Sequence, residues 1–189
     1  MTLFRTVDPV ADPVTVAEAK AQLRVEHDAE DALIAGLIRA ATAEVEAQTG
    51  MALMAQSWRL ALDRLPDGGT VLLRRHPVRE VQAVTIYDSD GAASLIDPAR
   101  WSADLVSRPA RLHIELPGGQ MRRMNGIEID FEAGFGEAGT DVPDLLKRAI
   151  LVLVAHWFEF RAVYRGEDQP VSHPAGFDRL IAGYRLGRL

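Results

Sequence analysis

The spacing of apolar positions changes along the chain, and each change marks a new kind of element. Residues 1–13 contain Pro9 and Pro13 and show no apolar period, which predicts an extended N-terminal arm. Thr15-Val-Ala-Glu18 then has capping-box spacing, with a hydroxyl and a carboxylate placed to satisfy orphan N–H groups reciprocally. A short helix over about Val16–Leu23 follows from it. Asp28, Glu30 and Asp31 mark a second helix start, where acids favour the dipole. Ile34, Leu37, Ile38, Ala41 and Val45 recur at helical period, so one face is apolar, and Thr49-Gly50 supplies the stop.

After Gly50 the period becomes two. Trp58, Leu60 and Leu62 alternate with Arg59, Ala61 and Asp63. Val84 and Ile86, then Leu112, Ile114 and Leu116, then Ile127, Ile129 and Phe131 repeat the pattern. Such alternation belongs to antiparallel strands with one buried face. Turn signals separate them at Pro66–Gly69, Asp88–Gly91 and Pro117–Gly119. Residues 57–133 therefore predict a small β module of five or six strands.

Helical spacing returns after Asp141. Pro143 suits a first helical turn. Leu145, Leu146, Ala149, Ile150, Leu153, Trp157 and Phe160 form a broad apolar face, and Val152 and Val154 extend it nearly all round. A helix of that kind is central to a core or buried between subunits. Gly166 ends it, a polar loop reaches His173, and a last short helix begins near Pro174 with Phe177, Leu180, Ile181 and Tyr184 on one face. The fold class is α+β: a helical bundle of N- and C-terminal helices with an inserted antiparallel β module. The expected divisions are an arm at 1–13, helices at 14–50, the β module at 51–136, a long core helix at 137–166 and a C-terminal helix and tail at 167–189.

Composition narrows the function. The 189 residues contain no cysteine, which excludes disulfides, thiolate metal sites and cysteine nucleophiles. The most apolar run, Ala149–Phe158, is about half the length of a membrane helix, and no signal-peptide pattern opens the chain. A soluble protein made in the cytoplasm is the expectation. Of the 21 basic residues only Lys20 and Lys147 are lysine. The bland reading of this excess is a GC-rich genome; the sharper one is interface use, since arginine makes planar, bidentate contacts. The net charge of −6 is concentrated in residues 1–50, with nine acids against four bases. No segment is strongly basic, which argues against a tight nucleic-acid binder.

No active site emerges from the motifs. Gly134-Phe-Gly136-Glu-Ala-Gly139 matches a dinucleotide-binding fingerprint and follows a strand, but no second parallel strand comes after the next helix. A flexible strand-to-helix turn explains it. The five histidines are scattered, and no serine sits in a nucleophile elbow. Glu128, Asp130 and Glu132 line one strand face: a solvated outer face, or repeated negative charge where that face borders a pore. Arg74, Arg75 and Arg79 form the densest basic cluster, suited to an exposed edge or to contacts with acids on a neighbouring subunit.

Several segments, in order, resemble the head–tail connector, or adaptor, proteins of tailed double-stranded DNA phages and phage-derived gene transfer agents. They are Val14–Val25, Asp28–Gly50, Trp58–Leu60, His76–Arg79, Tyr87–Gly91, Phe131–Gly136, Val142-Pro143 and Leu151–Arg161. The resemblance implies a non-enzymatic homo-oligomeric ring of about twelve subunits beneath the capsid portal, in the particle neck, assembled in the bacterial cytoplasm. Such a ring extends the DNA channel and receives a stopper or tail-completion protein. DNA passes through without sequence-specific binding, and no cofactor, metal, catalytic residue or membrane is involved. On that reading Ile150, Val154, Trp157, Arg74, Arg75 and Arg79 meet the neighbouring subunit. Arg179, Leu180, Tyr184, Arg185, Leu186, Arg188 and Leu189 dock on the portal, and Glu128, Asp130 and Glu132 face the channel. The alternatives are an unrelated oligomeric scaffold and a nucleotide-binding enzyme using the Gly134–Gly139 loop.

Overall fold

The computed structural model describes residues 1–118, 121–160 and 173–185. The chain folds into two compact units, each made from two separate stretches. Met1–Pro9 joins Ala55–Phe135 in a β unit, and Val10–Met54 joins the residues from Gly136 onward in a helical unit.

Among the described residues, four helices build the helical unit: α1 (Val16–Leu23), α2 (Asp31–Thr49), α3 (Asp144–Phe160) and α4 (Phe177–Ile181). The capping box that starts α1 is formed. The Glu18 N–H donates to the Thr15 hydroxyl at 3.1 Å, and the Thr15 N–H donates to the Glu18 carboxylate at 2.7 Å. Glu18 also accepts from Lys147 on α3 at 2.9 Å, so the cap ties two helices together. The acids before α2 do not cap it. Its N-cap, Glu30, makes no side-chain cap bond, while Asp28 and Asp31 hold Lys20 of α1 at 2.6 and 2.9 Å. Gly50 ends α2 in the left-handed conformation (φ 73°), donating its N–H to the Glu46 carbonyl.

The stripe predicted for α2 is buried through Ile34, Ile38, Ala41 and Val45, against Leu146, Ala149, Ile150, Leu153 and Val154 of α3. Phe177 and Ile181 of α4 complete this core with no exposed surface. Helix α3 follows a 3-10 turn at Gly139–Asp141. The expected helix end at Gly166 and most of the following loop lie outside the described residues. No described helix is long and apolar enough to cross a membrane.

Among the described residues the β unit holds eight strands, seven of them in the stretch where five or six are expected: β1 (Thr2–Val7), β2 (Gln56–Leu62), β3 (Thr70–Leu73), β4 (Val78–Tyr87), β5 (Ala93–Leu95), β6 (Trp101–Asp104), β7 (Ala110–Ile114) and β8 (Ile127–Ala133). They form one five-stranded sheet, β1-β2-β8-β4-β5, and one three-stranded sheet, β3-β7-β6, antiparallel throughout. Residues 2–7, expected as an arm, are extended but paired: Leu3 stands opposite Leu60 and Arg5 opposite Trp58. The alternation read from the sequence is realised cleanly in β8, where Ile127, Ile129, Phe131 and Ala133 are buried and the acids between them are half-buried.

Candidate functional site

The outer face of the five-stranded sheet collects the charged residues of β2, β4 and β8. Arg59 lies opposite Asp130 in the β2–β8 register and forks onto its carboxylate at 2.7 and 2.9 Å. Its third nitrogen reaches Glu128 at 3.1 Å. The Tyr87 hydroxyl donates to Glu128 at 2.9 Å, and that bond to a carboxylate pushes the phenol's pKa up. Arg79 pairs with Glu132 at 2.5 Å. Glu128, Asp130 and Glu132 thus share their face with Arg59 and Arg79. Two guanidinium groups offset three carboxylates, because cross-strand pairing sets opposite charges side by side.

A second polar cluster was not legible as a site. Asp104, at the end of β6, accepts from the Val106 and Ser107 N–H groups, the Ser107 hydroxyl and Arg111. The Ser107 hydroxyl and the Arg111 guanidinium, in that order, hold its carboxyl far below the usual range. A shallow cleft of about 210 Å³ lies here, lined by Thr70, Ser102, Asp104, Arg111 and His113. The cleft has the residue types of a hydrolase but not the roles: Asp104 is committed to its own loop, and the His113 ring nitrogen faces Thr70 at 3.4 Å. The spacing of Asp104 and Ser107 is the sequence signal for such a turn.

The glycine-rich loop serves packing. A Cβ at Gly136 would overlap the Asp141 carboxylate, which accepts the Ala138 N–H at 3.0 Å. A Cβ at Gly139 would lie 2.8 Å from the Pro13 carbonyl oxygen. The space a pyrophosphate would need beside Gly136 is thus filled by an acid of the same turn.

The basic cluster is divided. Arg74 is exposed. Arg75, expected at a subunit contact, stacks over the Trp58 ring of its own chain at 4.6 Å, with Arg5 at 5.9 Å, a cation–π arrangement. Arg79, from the same set, is engaged by Glu132. Ile150 and Val154, also expected at that contact, are buried in the core of a single chain. A helix apolar all round supplies its own unit first, and what remains half-exposed along its second half is Leu151, Val152, Ala155, His156, Trp157, Phe158 and Phe160. His156 packs on Phe160 at 4.3 Å.

Of the expected portal-docking residues, Arg179 is exposed and Leu180 and Tyr184 are half-buried. Arg185 bonds Asp178 at 2.6 Å and Gln48 of α2 at 3.2 Å. Leu186, Arg188 and Leu189 lie outside the described residues.

These surfaces, charge-matched and without an assembled nucleophile or metal cluster among the described residues, can be compared with known proteins. A family model described as phage gp6-like head–tail connector protein matches residues 13–87. Over its full length the chain is 30% identical to one from the neck of an empty gene transfer agent particle, solved with C6 symmetry. The match covers 97% of that chain at a TM-score of 0.82. The chain belongs to the phage head–tail connector family. The connector matches a chain of the native gene transfer agent virion at TM-score 0.80 and 30% identity, covering 97% of it. It matches one in the native neck, solved with C12 symmetry, at TM-score 0.79 with the same identity and coverage. Its role is structural.

Another likeness has a different extent. The connector is 33% identical over 87 residues to 4-amino-4-deoxyprephenate dehydrogenase of Streptomyces pristinaespiralis. The match takes in 41% of the connector but spans only 29% of that enzyme's length.

Proposed function

We propose that the connector forms a closed ring of about twelve copies in the neck of a phage-like particle, between the portal and a stopper or tail-completion protein. The observation that carries this reading is the end-to-end match to gene transfer agent necks, covering 97% of a chain at TM-score 0.82. The ring continues the DNA channel and works by assembly, not catalysis. The filled space beside Gly136 and the committed Asp104 favour this over an enzyme. The sheet face of Glu128, Asp130 and Glu132, lining the channel, would present one uncompensated negative charge per copy. Such a wall repels DNA weakly and lets it slide.

The half-exposed part of α3 around Trp157, with Arg74, forms part of the contact with the next copy. The portal receives the C-terminal segment: Arg179, Leu180, Tyr184 and Arg185, with Leu186, Arg188 and Leu189 beyond. Subunits are made in the bacterial cytoplasm and join the head there. The test mixes the purified connector with portal rings and measures mass by light scattering, beside a variant lacking residues 186–189. The full chain should add a ring's mass to each portal, and the shortened chain should stay free while remaining folded. A full chain that never joins the portal would overturn the reading, and a shortened chain that joins normally would overturn the docking assignment.

A further inference from the structure

We propose that β1 of one connector copy pairs, through its open edge, with the open edge of β3 in the next copy, setting Phe4 against Leu72. The proposal deepens the ring reading and rests on it. A closed head-to-tail ring needs two different, complementary patches on each copy. The two strand edges supply such a pair.

Strand β1 ends the five-stranded sheet, with β2 on one side only. Alternate residues of an edge strand turn their N–H and C=O groups to the open side. Soluble proteins guard such edges with lysine, proline, bulges or brevity. β1 is six residues long, contains neither proline nor lysine, and exposes all but Leu3. Its one charge is turned back onto its own unit: Arg5 donates to Gln56 at 2.9 Å, pairs with Asp8 at 2.8 Å and lies near Trp58. Its irregularity is confined to Arg5–Val7, so Thr2–Arg5 is a regular four-residue edge. Phe4 stands on it opposite Arg59, 44% exposed.

The other open edges fit less well. β5 exposes Leu95 but is only three residues long, one short of a four-residue edge. β6 exposes only the small Ser102 and Ala103, and its Asp104 is committed to the following loop. β3 ends the three-stranded sheet, pairs regularly with β7 over four residues, and carries Leu72, 43% exposed, between buried Val71 and Leu73. Over their regular four residues, Thr2–Arg5 and Thr70–Leu73, the two edges match, and each segment holds one large exposed apolar side chain. Aromatic–aliphatic pairs of this kind stabilise neighbouring strands.

The chain has no cysteine, so an introduced pair reports without background. A Phe4→Cys, Leu72→Cys double variant, oxidised in rings assembled on the portal, should give a ladder of covalent multimers on a non-reducing gel. Mixed single variants should stop at dimers. Phe4→Lys should keep the melting temperature of the free subunit while raising the concentration needed for ring formation at least tenfold. Rings of full mass that give no ladder, or a crosslink confined to single chains, would overturn the β1–β3 pairing and leave the ring standing. So would a Phe4→Lys chain that assembles at the unmodified chain's concentration. Failure of the unmodified connector to form any ring overturns the ring reading, and this pairing with it.

Discussion

Glu18 does two jobs at once, and its titration reports both. Its carboxylate accepts the Thr15 N–H, the Thr15 hydroxyl and the Lys147 ammonium. The Thr15 backbone bond first, then the Lys147 bond, hold its pKa below the usual 4.5. A carboxyl depressed in the folded state stabilises the fold fully above its unfolded value, and the contribution fades as pH falls through the folded one. Stability should therefore hold from pH 7 to about 5 and decline below. Glu18→Gln lacks the titrating group, so its urea midpoint should be lower near neutrality and fall less steeply under acid. Midpoints that run parallel for the two chains across that range would contradict the assignment.

At the scale of elements, α4 is too short to be stable by itself, yet Phe177 and Ile181 are wholly buried against α3 and α2. Phe177→Ala should cost about 3–5 kcal/mol in denaturant titration, as for other buried aromatic truncations. A loss under about 1 kcal/mol would show that α4 does not hold the helical core. α2, α3 and the strands β2, β7 and β8 are legible because each repeats its period enough times to be counted, and α1 is legible from its capping box. β3, β5 and β6 have three or four residues each, too few for a period. β1 hides for another reason: Arg5 shares the core-facing side with Leu3, so its polar pattern reads as an arm. The acidic stripe is visible along β8, but Arg59 and Arg79, which offset it, lie 71 and 53 residues away in sequence. Pairing at that separation follows from register, which local pattern does not carry. The all-round apolar α3 was equally ambiguous, since Ile150 in its own core and Ile150 against a neighbour give the same sequence.

At the scale of the whole molecule, that ambiguity becomes an experiment on assembly. Ile150→Asp buries an unpaired charge and should abolish folding of the helical unit, seen as lost helical circular dichroism. Trp157→Asp lies at a half-exposed position and should leave a folded subunit that no longer forms rings; full-size rings from it would remove α3 from the subunit contact. The interrupted layout of both units has its own outcome during synthesis. β1 leaves the ribosome first but waits for β2, and the last strand of its sheet ends at Ala133. The apolar stripe of α2 waits longer, until α3 and then Ile181 have emerged. At about 5–20 residues per second the helical unit is complete roughly 2–10 s after the last strand of the sheet. The β unit is thus the first able to close, and the nascent chain, with α2 still bare, is the form of this protein that most needs a chaperone.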